Sequence, residues 1–229
     1  MNQVLTFDPI WEEKYSQGHF QRYPWDTVVS FVFRNYPRHK QRHEVRILEV
    51  GCGTASNLWF AAREGFRVTG IDASPSAIEY AQKRFAKDNL TGDLRVGDFT
   101  QIPFEDDYFD LVIDRAAITC CGWSVAQQAV AEIRRVLQPE GKFFFNPYSD
   151  RHSSYISGKP GKDGLIFDIS AGTLVDTGQI CFYNRQQIEA LFNQGWELQN
   201  VEHLEIRQEI QPQHLSHTEW RVISQKIIE

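Results

Sequence analysis

The sequence predicts an α/β fold: a single mostly parallel seven-stranded sheet with helices on both faces and a C-terminal antiparallel hairpin. Three observations carry this. Between residues 46 and 145, short apolar runs alternate with amphipathic ones, the rhythm of strand–helix–strand units with right-handed crossovers. A glycine-rich turn, Gly51-Cys52-Gly53, follows the first apolar run, and an acid, Asp72, closes the second. Near the C-terminus two strand-like runs are joined by a loop alone, so they pair antiparallel.

The elements follow in order. The first 45 residues read as a helical cover. Asp26 is placed to cap a helix over Thr27 to Tyr36, which Pro37 ends. A basic connector, residues 38–46, reads as a solvated linker. Strands are predicted at 46–50, 66–71, 93–96, 109–113 and 142–145, and helices at 56–63, 75–87 and 124–137. Ser74 caps the second of these helices, with Pro75 in its first turn, where the fixed φ of proline is already helical. In the third, Val125, Ala129, Ile133, Val136 and Leu137 gather on one side. A helix over 185–192 precedes the closing strands at 197–206 and 219–228. The expectation is one domain: cover (1–45), core (46–147), insertion (148–183), then C-terminal helix and hairpin (184–229). The insertion is too long for a simple connection. The dense run Gly158–Gly164 and the anchors Leu165, Ile166, Phe167 and Ile169 predict a mobile lid with a flexible tip. The alternative is an ordered loop with a small strand pair of its own.

Hydrophobic residues make up 41% and charged residues 24%, enough apolar material for a packed core. The net charge of −6 disfavours nucleic acid as a partner, because phosphate contacts need a basic face. The start MNQVL carries no basic leader, and no run reaches the length of a membrane span, so neither a signal peptide nor a membrane segment is expected. Cys52, Cys120, Cys121 and Cys181 form no C-x-x-C pair, which predicts neither a zinc framework nor a disulfide scaffold and fits a cytoplasmic setting. His214 and His217 are spaced three apart with no further ligands in view, so no metal is expected.

The glycine turn carries the chemistry. Gly51 can adopt angles closed to other residues, Gly53 lets the main chain approach a ligand, and the helix that follows offers free N–H groups. Asp72, at the end of the neighbouring strand, can accept from both hydroxyls of a ribose. A dinucleotide fingerprint would need a third glycine at position 56, where Ser56 stands.

The stretch ILEVGCGTASNLWFAAREGFRVTGIDASPSAIEYA resembles the first two motifs of class I S-adenosylmethionine-dependent methyltransferases. Glu49, Gly51 and Gly53 match their acidic-x-Gly-x-Gly-x-Gly pattern, with Ala55 in place of the last glycine. Gly97-Asp98-Phe99, the run from Phe104 to Val112 and the run from Leu137 to Phe143 resemble later motifs, so the likeness covers 46–145. It implies a Rossmann-like fold and an enzyme that binds S-adenosylmethionine and releases S-adenosylhomocysteine. It further implies that Asp72 binds the ribose hydroxyls and that Asp98 accepts from the adenine amino group, with the Phe99 backbone beside it. Gly51 and Gly53 would flank the methionine portion, Glu49 would orient the loop, and Asp114 would lie near the sulfonium. Cys52, Asn57 and Ala73 complete the expected cofactor-binding set.

Other features stay open. Trp11, Tyr15, Tyr23 and Trp25 read as staples of the leading helix; alternatively Tyr15, Arg22 or Tyr23 folds over the cofactor, with Arg22 pairing the methionine carboxylate. Asn146-Pro147-Tyr148 resembles the N/D-P-P-Y motif of amino-methylating enzymes but follows the fifth strand, and reads as a strand exit. Cys120 and Cys121 pack under the loop after the fourth strand. The catalytic residues are unassigned, with Asp114, His152 and His217 as candidate bases. The expected partner is a small-molecule acceptor methylated on O or N. The alternatives are a protein or tRNA methyltransferase, a nicotinamide-dependent oxidoreductase, or a non-catalytic nucleoside-binding module.

Overall fold

The computed structural model describes residues 6–210 and 215–228. The start Met1–Leu5 and His214, on which two of the expectations above rest in part, lie outside them. The strands in chain order are β1 (Arg46–Val50), β2 (Arg67–Asp72), β3 (Asp93–Val96), β4 (Phe109–Asp114), β5 (Leu137–Phe145), β6 (Lys159–Pro160), β7 (Leu165–Phe167), β8 (Ile180–Cys181), β9 (Trp196–Arg207) and β10 (Ser216–Lys226). The helices are α1 (Ile10–Ser16), α2 (Asp26–Asn35), α3 (Ser56–Arg63), α4 (Pro75–Lys87), α5 (Trp123–Val136), α6 (Ser153–Ser157) and α7 (Arg185–Leu191).

The main sheet has seven strands in the order β3-β2-β1-β4-β5-β10-β9. β1 to β5 pair in parallel, and β10 pairs antiparallel with both β5 and β9. This is the predicted class, down to the closing hairpin. Period-two alternation sorts the side chains of the central strands into two layers. Leu48, Val50 and Val112 pack with α5 and α7, and Ile47, Leu111 and Ile113 pack with α2, α3 and α4. α5 buries Val125, Ala129, Ile133 and Val136 at helical spacing, as its sequence dictates. Ser74 accepts from the Ala77 N–H and caps α4, with Pro75 in its first turn.

Two details differ from the sequence reading. Asp26 is the first residue of α2 rather than its cap, and its charge sits in the first turn, where the helix dipole favours it. β5 starts at Leu137, because Leu137 already pairs with Phe109 before a register shift carries the chain to Lys142. The insertion has ordered structure of its own, as in the alternative reading. β6, β7 and β8 form a small antiparallel sheet over Ile166, Ile169, Leu174, Ile180 and Phe182. Its tip is pinned where the Asp163 carboxylate accepts from the N–H and hydroxyl of Ser124, at the start of α5.

Two placements set up the site. The chain leaves β1 for β2 on one side and later places β4 on the other, so the carboxyl end of β1 is a switch point where open α/β sheets bind ligands. β10 meets β5 only from Val222 onward, so Ser216–Arg221 overhangs that same edge. The bridge between Tyr148 and Glu219 continues the contact there.

Candidate active site

Gly51 and Gly53 both have positive φ, +60° and +51°, as the tight turn after β1 requires. A Cβ on Gly51 would lie 2.1 Å from the Ala117 Cβ, and one on Gly53 would lie 2.5 Å from the Tyr15 hydroxyl. The glycines therefore admit two neighbours, the turn after β4 and the α1 cover. The Gly53 N–H donates to Asp72 Oδ2 and the Ser74 N–H to Asp72 Oδ1, each at 2.8 Å. The carboxylate ties two strand ends together and keeps further lone pairs for a ligand.

A cleft of about 600 Å³ opens at this point. Gly51, Asp72, Ala73 and Phe99 line it from the strand ends, Trp11 and Tyr15 from α1, and Arg115, Ala116 and Ala117 from the exit of β4. α1 is fastened over the cleft by Glu12, which accepts from the hydroxyls of Ser74 and Ser76. Gly51 also lines an adjoining cavity with Glu49, Cys52, Gly53 and Asn57. There Asn57 donates to Glu49 at 2.6 Å and accepts from the Trp25 N–H at 2.9 Å, which ties the loop to the start of α2.

Three expected residues are placed differently. Asp98 already accepts from Thr6 and Thr100, so a ligand amine must share its Oδ2 with the Thr6 hydroxyl. Asp114 faces inward, fully buried, and accepts from the Ala117 and Ile118 N–H groups; it braces the turn after β4 and lines none of the cavities described. Arg22 is exposed, with its carbonyl accepting from Arg84, and the cation at the cleft is Arg115. Tyr15 closes over the glycine turn, while Tyr23 stays in solvent.

The cleft is ringed by buried acids. Burial pushes Asp72 up to about 6 against the Ser74 and Gly53 N–H groups, and Asp114 up to about 6 against those of Ile118 and Ala117. Burial pushes Glu49 up to about 8 despite the Asn57 amide. Near neutrality Asp72 is anionic at the wall of the cleft, with Asp114 buried behind it, an environment that favours a cation such as a sulfonium.

Arg115 opens onto a second cavity of about 940 Å³. Its guanidinium lies 4.1 Å from the Trp25 ring centroid and 3.4 Å from Glu219. Burial alone would raise Glu219, but His217, Arg115 and Arg221 hold it at about 2. His217, Glu219 and Arg221 alternate along the overhang of β10, and Tyr148 and Thr173 line the cavity beside them. His152 lies behind, fully buried, and burial followed by the nearby His217 pushes it down to about 4. The sequence reading missed Arg115, Glu219 and Arg221. The signal was present: His-x-Glu-x-Arg at period two puts three polar side chains on one strand face.

The profile of a family described as a methyltransferase domain matches residues 47–141, the segment that holds the glycine turn, Asp72 and Asp114. Over these residues the chain carries a methyltransferase domain, and its fold is that of class I S-adenosylmethionine-dependent methyltransferases. This methyltransferase is 29% identical over 217 residues to the malonyl-[acyl-carrier protein] O-methyltransferase of Priestia megaterium, covering 90% of its own length and 72% of the relative's. Other curated relatives match over shorter stretches, 42–58% of this chain, and the chain spans about half of their length or less. A solved methyltransferase from Methanosarcina mazei superposes with a TM-score of 0.71 at 19% identity, covering 86% of this chain and 98% of that one. The [4+2]-cyclase SpnF superposes at 0.66 and 16% identity, covering 96% and 92%. At such identities the likeness is one of fold, and it leaves the acceptor of this methyltransferase open. Among the described residues, no helix is long and apolar enough to cross a membrane.

Proposed function

We propose that the chain binds S-adenosylmethionine in the cleft of the glycine turn and transfers its methyl group to a small-molecule acceptor, on oxygen or nitrogen. The observation that carries this is the pairing of Asp72 with the Gly51–Gly53 turn at the switch point, under a fastened α1. The residues fit the group. Asp72 and Ala73 suit the ribose, Phe99 the adenine, with Asp98 next to it in sequence but outside the cleft lining, and the cavity of Glu49, Cys52, Gly53 and Asn57 the methionine portion. The bound cofactor supplies an electrophilic methyl on a positively charged sulfur. The protein's work is then to hold an acceptor in line and keep water out, and alignment contributes roughly 7–11 kcal/mol at most. Tyr15 and Trp11 shield the cleft, and Arg115 marks its border with the second cavity.

A small acceptor fits the roofed cleft and the net charge of −6, which also argues against tRNA. The malonyl relative is by name an O-methyltransferase, which supports oxygen as the acceptor atom. Calorimetry with S-adenosylhomocysteine and NAD tests the reading. The expected dissociation constant for S-adenosylhomocysteine is micromolar or better, about −8 kcal/mol, with NAD far weaker. Tighter binding of NAD would overturn the proposal.

A further inference from the structure

The two cavities meet at the Arg115 side chain. Its Nε–H is buried without a hydrogen-bond partner, and its guanidinium borders both cavities. Beside it, the partners of the histidine pair fix where the protons lie. The Ser154 N–H donates to His152 Nδ1 at 3.0 Å, so the neutral His152 ring carries its proton on Nε2. That proton faces Thr173 Oγ1 at 3.1 Å and His217 Nδ1 at 3.2 Å. Thr173 Oγ1 lies 2.9 Å from the same Nδ1. His217 Nδ1 is therefore an acceptor, and its own proton sits on Nε2, facing Glu219 Oε2 at 3.5 Å. Glu219 is in turn fixed by Arg115 and Arg221. A ring nitrogen whose lone pair accepts from a hydroxyl, oriented by a buried carboxylate behind the other nitrogen, is the arrangement of a general base acting through that hydroxyl.

Resting on the methyltransferase reading, we infer that the cavity between Arg115 and His217 is the methyl-acceptor site, that it takes a small molecule with an apolar body and an ionisable hydroxyl, and that His217 receives the hydroxyl proton. Leu174, Leu204 and Trp25 supply the apolar wall, and Asp26 is the remaining charged group on the rim. The hydroxyl oxygen bonds to the methyl carbon as the carbon–sulfur bond breaks, and the broken pair stays on sulfur. The hydroxyl proton passes to Thr173 Oγ1 while the Thr173 proton passes to His217 Nδ1. The positive charge leaves the sulfonium and reappears on His217, beside Glu219. Thr173 Oγ1 can then accept from both imidazoles. The Arg115 guanidinium, on the border of both cavities, supplies positive charge near the oxygen as it gains negative charge. A carboxylate acceptor would arrive without a proton and leave the His217–Glu219 pair without a task.

The test compares 2-naphthol, 2-naphthoate and 2-naphthylamine, three probes with one apolar body. Wild-type protein loaded with S-adenosylhomocysteine should bind 2-naphthol, and with S-adenosylmethionine should methylate it faster than the other two. His217→Gln should leave the affinities for S-adenosylhomocysteine and 2-naphthol unchanged within about twofold and lower naphthol turnover roughly 100-fold or more. With 4-nitrophenol, at a pH where it is already ionised, the same variant should lose less than about tenfold, because no proton remains to be moved. Equal losses on both phenols, full turnover in the variant, faster methylation of the carboxylate or amine, or no naphthol binding to the loaded protein would each overturn the inference. Failure of the wild type to bind S-adenosylhomocysteine would instead overturn the methyltransferase reading itself.

Discussion

Asp72 accepts from two backbone N–H groups and also faces the cleft, so its protonation couples the turn to the ligand. Its carboxyl sits at about 6 because burial disfavours the charge. A ribose donates to the ionised form, so affinity for S-adenosylhomocysteine should weaken as pH falls through about 6. The sign for stability is opposite: a carboxyl raised in the folded state favours folding when protonated, and that contribution is lost as pH rises from about 4 through 6. Asp72→Asn keeps the shape and removes the charge. It should lower affinity at least tenfold at pH 7.5, since a hydrogen bond to a charged group contributes roughly 1.5–3 kcal/mol. Calorimetry at pH 5 and 7.5 checks both, and a variant with the wild-type pH dependence would place the ribose elsewhere. Gly51 gives a second check. Gly51→Ala meets Ala117 at a positive φ, and the backbone alone costs about 1–2 kcal/mol. Denaturant unfolding should show a loss above about 2 kcal/mol, with Ala117→Gly restoring part of it in the double variant.

At the scale of elements, the strands and helices of the core were legible because each obeys a local rule. The alternation of Ile47 with Leu48, the Ser74 cap and the apolar face of α5 need no distant contact to be read. The roles of Asp114 and Arg22 were not legible, since nothing local says that Asp114 points into the core or that Arg22 stays in solvent. For the same reason, the choice between a mobile lid and an ordered loop was not legible in the insertion. Its glycines suggest looseness, yet Gly158 and Gly161 lie against Ile166 and Phe167, where a side chain would not fit. Asp163 then joins the tip to the start of α5. We expect Asp163→Ala to cost about 1 kcal/mol, the usual loss on removing a helix-capping acceptor, and to speed hydrogen exchange over 158–167. Rapid exchange there in the wild type would restore the mobile lid.

At the scale of the whole molecule, the proposed reading divides two tasks between the two halves of the fold. The parallel half carries the glycine turn and Asp72, and the antiparallel half carries the alternating His217, Glu219 and Arg221, with α1 fastened over the seam by Glu12. A ligand at that seam touches strand ends, the β4 exit and α1 at once, so it binds only when all are in place. Its binding energy then adds to the stability of the folded chain as a whole. At a concentration one hundred times its dissociation constant, S-adenosylhomocysteine should stabilise by about 2.7 kcal/mol. For a domain of this size that corresponds to a rise in Tm of roughly 5–11 °C, whereas NAD at the same concentration should leave Tm unchanged. Because Asp72 must be ionised to accept from the ribose, the rise should shrink when the scan is repeated at pH 5. Alanine at Glu12 removes the tie from α1 to Ser74 and Ser76, so the rise should shrink in that variant at either pH. A full rise in Glu12→Ala would show that α1 takes no part in holding the ligand, and that the cleft is completed by the strand ends alone.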